Sequence, residues 1–401
     1  MPPTLISTFS LHLKIFKIIG LDFLGDPSVA NHCRHVSFVS MLLLFFTGQL
    51  LFFFKSDEIG ADFMDIANAI PLFMMAVQDL VKIVALSKMQ RIKGIIMEVA
   101  ELWPNEINNE EKKSIMNSWI WNLKMFNDCV YKFVAFAVFV FVWGTFFVTV
   151  FTTSDGVITY LYSFQLYYPF KIDSMWKYSA AFLFQSVTGT IIHLCLYQPC
   201  DLLLFTLTVD ICILMRLLQY DLENIRVVGK DRNGVFDPAE AEKSYRAVIE
   251  LARTHQKLVK ISENLNEVFG TIIFTVVSLS AVILCFFGFL LITVGGTQYQ
   301  MLRSFLAVFV KMFIVFCLAL PGQILSDASC GVADAAYKSL WYESDLKFRK
   351  IIFIMIARSQ KPCFLSALGY SQMNFNTFCK ICSSSWSYLS LLNQMYQDTE
   401  R

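Results

Sequence analysis

Apolar runs long enough to cross a membrane recur along the chain, separated by charged stretches. An α-helix rises about 1.5 Å per residue, so about 20 apolar residues cover about 30 Å of hydrocarbon. Val36–Phe54 is free of charge and gives a first span; Phe63–Val81, with Asp65 and Asp79 near its ends, gives a second. Phe133–Ser154 is the third and Tyr178–Cys200 the fourth, continued beyond Asp201 by apolar Leu202–Val209. Val268–Gly296, Ser304–Gln323 (broken only by Lys311) and Met373–Met395 complete a set of seven. The expected fold is all-α, a polytopic membrane protein with seven transmembrane helices.

Basic residues orient these spans, because short cytoplasmic loops hold the excess of Lys and Arg. Lys14, Lys17 and Arg34 precede the first span, whereas the first loop sets Lys55 alone among Asp57, Glu58 and Asp62. Lys88, Arg91, Lys93, Lys112, Lys113 and Lys124 lie between spans two and three, and only Lys171 and Lys177 in the next loop. Basic residues crowd again between Arg216 and Lys260, thin to Arg303, and return between Lys338 and Lys361. The alternation puts the N-terminus inside and the C-terminus outside. That topology is the reverse of a G-protein-coupled receptor's, and the Asp-Arg-Tyr and Asn-Pro-x-x-Tyr motifs of such receptors are missing.

Two inner connections read as helices. Asp237-Pro238 is a helix start, and Tyr245, Val248, Ile249, Ala252, Leu258, Val259, Ser262 and Leu265 recur behind it at helical spacing, fusing to span five. Tyr337, Leu340, Trp341, Phe348, Ile352 and Met355 form a second stripe, stopped at Arg358-Ser359-Gln360-Lys361-Pro362. Such stripes on charged helices must bury against something, within one chain or on neighbouring subunits. The organisation expected is a cytosolic segment 1–35 with a helix lying on the inner leaflet, spans one to four over 36–209, and a helical anchor connection over 210–267. Spans five and six follow over 268–325, a second anchor element over 326–372, the last span over 373–395 and an extracellular tail over 396–401.

Composition agrees: 56% of the 401 residues are hydrophobic, only 16% are charged, and Phe alone occurs 39 times. A soluble domain would expose aggregation-prone patches at that content. A net charge of +1 gives no reason to expect nucleic acid as a partner. The cysteines, Cys379 and Cys382 included, sit mostly in apolar runs and read as small hydrophobes. No metal-ligand spacing, phosphate loop or catalytic constellation occurs, so neither cofactor nor enzymatic activity is expected.

The last span carries Ser387-Tyr388-Leu389-Ser390-Leu391-Leu392-Asn393-Gln394-Met395. This resembles the Thr-Tyr, five-residue spacer, Gln-Phe signature that ends the last helix of insect chemoreceptors, with Ser for Thr and Met for Phe. With Ala336-Tyr337, Trp341 and the Arg358–Pro362 stretch, it is more similar to the odorant receptor branch than to the gustatory one. The resemblance implies a ligand-gated, non-selective cation channel of the plasma membrane, in olfactory dendrites, assembled as a heterotetramer with a common co-receptor subunit. Its ligands would be small volatile odorants, held among spans two, three, four and six, and its pore would be lined by the last helix. The co-receptor has a longer inner loop, so this chain resembles the variable subunit. A gustatory-type homomeric channel and, further off, a G-protein-coupled receptor are the alternatives.

Candidate pocket residues are Ile70, Phe73 and Met74 around Pro71, Phe136, Phe139, Val140 and Trp143 on one face of span three, and Phe184, Gln185 and Thr188 on span four. Burial would hold the ligand, at about 25 cal/mol per Å² of apolar area, with one hydrogen bond that Trp143 could donate. Ser387, Leu391 and Met395 share a face of the last helix. Leu391 and Met395 are expected as hydrophobic constrictions with Gln394 near the mouth; the alternative is that this face packs on other helices. Lys311 either faces a vestibule or neighbouring subunit, or snorkels to an interface; Asp201 either faces such a space or serves as a helix cap or an inter-helix hydrogen bond.

Overall fold

The computed structural model describes residues 1–25, 28–151, 162–226, 238–293 and 298–400. Two short helices, α1 (Pro3–Thr8) and α2 (Ser10–Ile18), precede α3 (Val29–Phe54). A single turn, α4 (Ser56–Ile59), ends at Gly60 in the left-handed conformation (φ 71°), and α5 (Phe63–Leu86) follows. Asp62 caps α5: its side chain accepts from the Asp65 N–H, while the Asp65 carboxylate accepts from the Asp62 N–H. Next come α6 (Met89–Leu102), the long α7 (Glu110–Phe151), and α8 (Met175–Ile192). A π-helical turn, His193–Tyr197, joins α8 to α9 (Gln198–Glu223).

The remaining helices are α10 (Pro238–Thr293), α11 (Gln298–Lys338), α12 (Leu346–Ser359) and α13 (Phe375–Glu400). Between α12 and α13, strands β1 (Ser366–Ala367) and β2 (Ser371–Gln372) pair antiparallel around a turn whose Gly369 has φ 83°. The fold is all-α, as the periodicity predicts. Among the described residues, five helices, α3, α5, α7, α10 and α11, are long and apolar enough to cross a membrane. The fourth expected span is divided between α8, the π turn and α9. The seventh, α13, is diluted by Lys380 and the Ser383–Ser385 run.

The fused helix before span five is a single rod from Pro238 to Thr293; Asp237, expected as its cap, lies outside the described residues, as do 152–154 of span three and 294–296 of span five. The second inner stripe is not one helix. α11 continues through Pro321 to Lys338, the chain breaks around Trp341–Glu343, and Asp345 starts α12 afresh by accepting from the Phe348 N–H at 3.1 Å. The N-terminal helices also differ from the expectation of a helix on a leaflet. Leu5, Phe9 and Phe16 are fully covered by protein, with α2 packed on α9 and Thr8 Oγ1 donating to Asp210 Oδ2 at 3.1 Å. An apolar stripe is satisfied equally by lipid or by a neighbouring helix, and here the helix is within reach.

The core runs along α9, which is buried on nearly every side, between α7, α10 and α11. Pro199 explains the π turn at its head. Proline lacks an N–H and excludes the carbonyl one turn back, so the rod widens locally. Carbonyls in that turn accept from side chains instead: Tyr131 Oη reaches Leu194 O at 3.2 Å and Lys82 Nζ reaches Tyr197 O at 3.0 Å.

Candidate functional site

Beside that π turn lies a cavity with about 830 Å³ of empty space, its open mouth included. Phe45 and Gln49 of α3, Leu72, Met75, Ala76 and Asp79 of α5, and Ala137, Val138, Phe141 and Val142 of α7 form three walls. Gly189, Ile192 and His193 form a fourth, and Ala307, Val310, Lys311 and Ile314 of α11 a fifth, with Phe287 of α10 between. The lining is mostly apolar.

One end is roofed by the segment that precedes α8. Phe164 reaches into the cavity, its ring 5.2 Å from Phe45 and 6.4 Å from Phe141. The segment is strapped to four helices. The Phe164 N–H donates to Gln185 Oε1 (3.2 Å), Ser163 Oγ to Val142 O (2.9 Å), the Tyr167 N–H to Gly48 O (3.0 Å), and Arg303 Nη2 to Ser163 O (2.9 Å). Gly189 is required beneath it: a Cβ there would lie 2.6 Å from the Phe164 ring.

The other end is polar and charged. Lys311 Nζ donates to Tyr197 Oη (2.8 Å) and Gln78 Oε1 (3.2 Å), and Tyr197 Oη donates to Gln78 Oε1 (2.7 Å). Lys82 pairs with Asp201 at 2.8 Å and sits 3.4 Å over the Tyr197 ring, on which His193 also stacks. Lys311 and Lys82 are both buried, at 2% and 0% exposure. Lys311 therefore neither snorkels nor faces a second subunit; it is bonded inside the bundle. Asp201 makes the inter-helix hydrogen bond among its expected readings, charge-assisted by Lys82 of α5, and is not a helix cap. Lys82 falls one residue beyond the expected end of span two at Val81, and its spacing of three from Asp79 is the signal for it in the sequence.

The helices expected around a pocket do surround this cavity, but none of the ten candidate residues is among its lining. Phe136 and Phe139 are 65% and 54% exposed on the outer face of α7. Trp143 packs edge-on against Phe182, and Phe73 stacks on Phe46 between α3 and α5. Ile70 and Val140 are half-buried, Met74 packs against the apolar cluster between α5 and α10, and Phe184 is exposed. Thr188 is turned back on its own helix, bonded to Phe184 O at 2.7 Å. Gln185 alone touches the site, through the roof.

On α13, Ile381 is buried, Leu389 packs on Gly288 of α10, and Tyr396 meets Phe63 and Phe289. The other face points away from the chain. Ser387 and Gln394 are exposed there, with Leu391 and Met395 at 57% and 60%. Residues 63–386 match the sequence model described as 7tm Odorant receptor. The chain belongs to this odorant receptor family.

Among relatives of this odorant receptor, Odorant receptor 85b of Drosophila melanogaster is 26% identical over 320 residues, covering 77% of each chain. Odorant receptor 85f of the same species is 22% identical over 96% of this chain and 97% of its own. In fold, the receptor is similar to the insect olfactory receptor OR5 of Machilis hrabei, solved in complex with eugenol. That likeness has a TM-score of 0.81 at 13% identity, over 98% of this chain and 99% of the other.

Proposed function

We propose that this chain is the odorant-binding subunit of a ligand-gated, non-selective cation channel in the plasma membrane, working beside a co-receptor subunit. The ligand is a small volatile molecule, and the cavity roofed by Phe164 is its pocket. One observation carries the reading: a recessed space with several aromatic side chains lies among the membrane-spanning helices, with a few convergent polar groups at one end. The arrangement suits a ligand held by burial and oriented by one hydrogen bond.

In this reading the N-terminus is cytosolic, and the Phe164 roof lies towards the outside. Binding there bears on α5 and α11, both packed against α10, which in turn carries α13. The outward face with Ser387, Leu391, Gln394 and Met395 supplies one wall of a pore completed by neighbouring subunits, permeating cations passing the constrictions at Leu391 and Met395. The charged lower ends of α10 and α12 form the shared anchor.

The test is expression of the chain with and without a co-receptor subunit, recording currents against a panel of volatiles. Odorant-evoked, non-selective cation current that needs no guanine nucleotide supports the reading. Labelling of a C-terminal tag on intact cells is expected; a tag reached only after permeabilisation would refute the topology.

A further inference from the structure

We propose that the floor of the cavity recognises a neutral ligand through a hydroxyl group, which donates to Asp79 Oδ1 and accepts from Lys311 Nζ. This rests on the reading of the cavity as the odorant pocket.

Asp79 lines the cavity and is 7% exposed, and its Oδ1 has no hydrogen-bond partner among the described residues. A buried carboxylate oxygen without a donor is costly, and the cost is relieved by whatever supplies one. The protein's own cations do not. Lys82 is committed to Asp201, Tyr197 O and the Tyr197 ring, and among the described residues no ion pair joins Asp79 to either lysine. Lys311, also in the lining, spends two bonds on Tyr197 and Gln78, and an ammonium has three N–H groups. His193 Nε2, on the adjoining wall, likewise has no partner. The floor thus offers an acceptor and a donor in one apolar space.

Charge and valence narrow the class. Lys82, Lys311, Asp79 and Asp201 sum formally to zero, so an ammonium or carboxylate ligand would add an uncompensated buried charge. An ether, ester, ketone or aldehyde can only accept, which leaves Asp79 Oδ1 unmet. A hydroxyl oxygen donates once and accepts from the ammonium. Its hydrocarbon body then fills the space towards Phe45, Phe141 and Phe164. The ligand class is an alcohol or phenol with a compact apolar body.

The test uses the full chain in cells with its partner subunit, scored for current, and the purified chain scored for thermal stabilisation. Binding without current therefore still counts. Probes are phenethyl alcohol, its methyl ether, phenylacetaldehyde and phenethylamine, and the same four heads on a hexyl chain. The expected result is that on a skeleton the receptor accepts, the alcohol acts at about tenfold or more lower concentration than its ether. Asp79→Asn should shrink that gap to about threefold. If the variant does not reach the surface, the comparison on the unaltered receptor decides alone. Ethers or aldehydes matching the alcohols, or alcohols that neither bind nor activate on either skeleton, would overturn the proposal. Ala307→Phe, which fills the cavity, separates the two readings: if it leaves every response unmoved, the pocket itself is misplaced.

Discussion

Lys82 of α5 and Asp201 of α9 meet at 2.8 Å with 0% and 9% of their side chains exposed. Neither can be deleted singly at low cost, because the survivor is left as a buried charge without its counter-ion. Lys82→Met is expected to cost about 3–5 kcal/mol and to collapse surface expression and the thermal midpoint in detergent. Lys82→Met with Asp201→Leu should recover most of that loss. A double variant no better than the single one would mean that the pair is not a coupled unit.

The contact of Gly189 with Phe164 ties the wall of the cavity to its roof. A methyl at Gly189 would stand 2.6 Å from a ring already set against Phe45 and Phe141. Overpacking of this kind costs about 1–3 kcal/mol. Gly189→Ala is therefore expected to shift odorant dose–response curves several-fold to higher concentration with surface level little changed. Adding Phe164→Leu, which gives the methyl room, should restore sensitivity. An unaltered dose–response in the single variant would detach the roof from ligand binding.

The helices were legible in the sequence and their faces were not. In a soluble helix the apolar stripe marks the inside, but in a membrane both lipid and core take apolar residues. Phe136 and Phe139 read as a pocket face and are turned outward, while Ala137, Val138 and Phe141 of the same helix line the cavity. Size and polarity were the usable signals. Ala76, Ala137, Gly189 and Ala307 leave the space, and Asp79, His193 and Lys311 are the groups no lipid would tolerate. For α13 the stripe Ser387, Leu391 and Met395 did separate from the packed face, because Lys380 and the serines break the uniformity that hides faces elsewhere.

Below the membrane spans, His255 of α10 is 3% exposed and bonded to Ser359 Oγ at 3.3 Å. Burial, helped by the nearby Arg358 cation, holds its imidazole down at about 4 against an ordinary 6.5. The folded protein thus keeps His255 neutral where the unfolded chain protonates it. Between pH 6.5 and 4 the unfolded state binds more protons, so stability falls as pH falls. The full loss, reached below about pH 4, is on the order of 3 kcal/mol. His12, also drawn down to about 4 by burial, adds to the loss in the same window. Thermal midpoints measured across this range should drop with acidification, and His255→Gln should flatten part of the slope. A slope identical in the variant would place the acid sensitivity elsewhere.

Leu391 separates packing from conduction. At 57% exposure it contributes little within one chain, so Leu391→Ser should alter thermal stability by no more than about 0.5 kcal/mol. Leu389, two residues earlier and packed on Gly288, should behave in the opposite way, with Leu389→Ala lowering the midpoint. In the channel proposed above the order reverses. An apolar constriction excludes water from a narrow pore, and a hydroxyl introduced into it weakens that exclusion. Leu391→Ser should therefore raise current in the absence of odorant and alter rectification, at a surface level equal to the unaltered chain. If currents, rectification and ion selectivity all stay unchanged, the exposed face of α13 does not line the pore and packs on a neighbouring subunit instead.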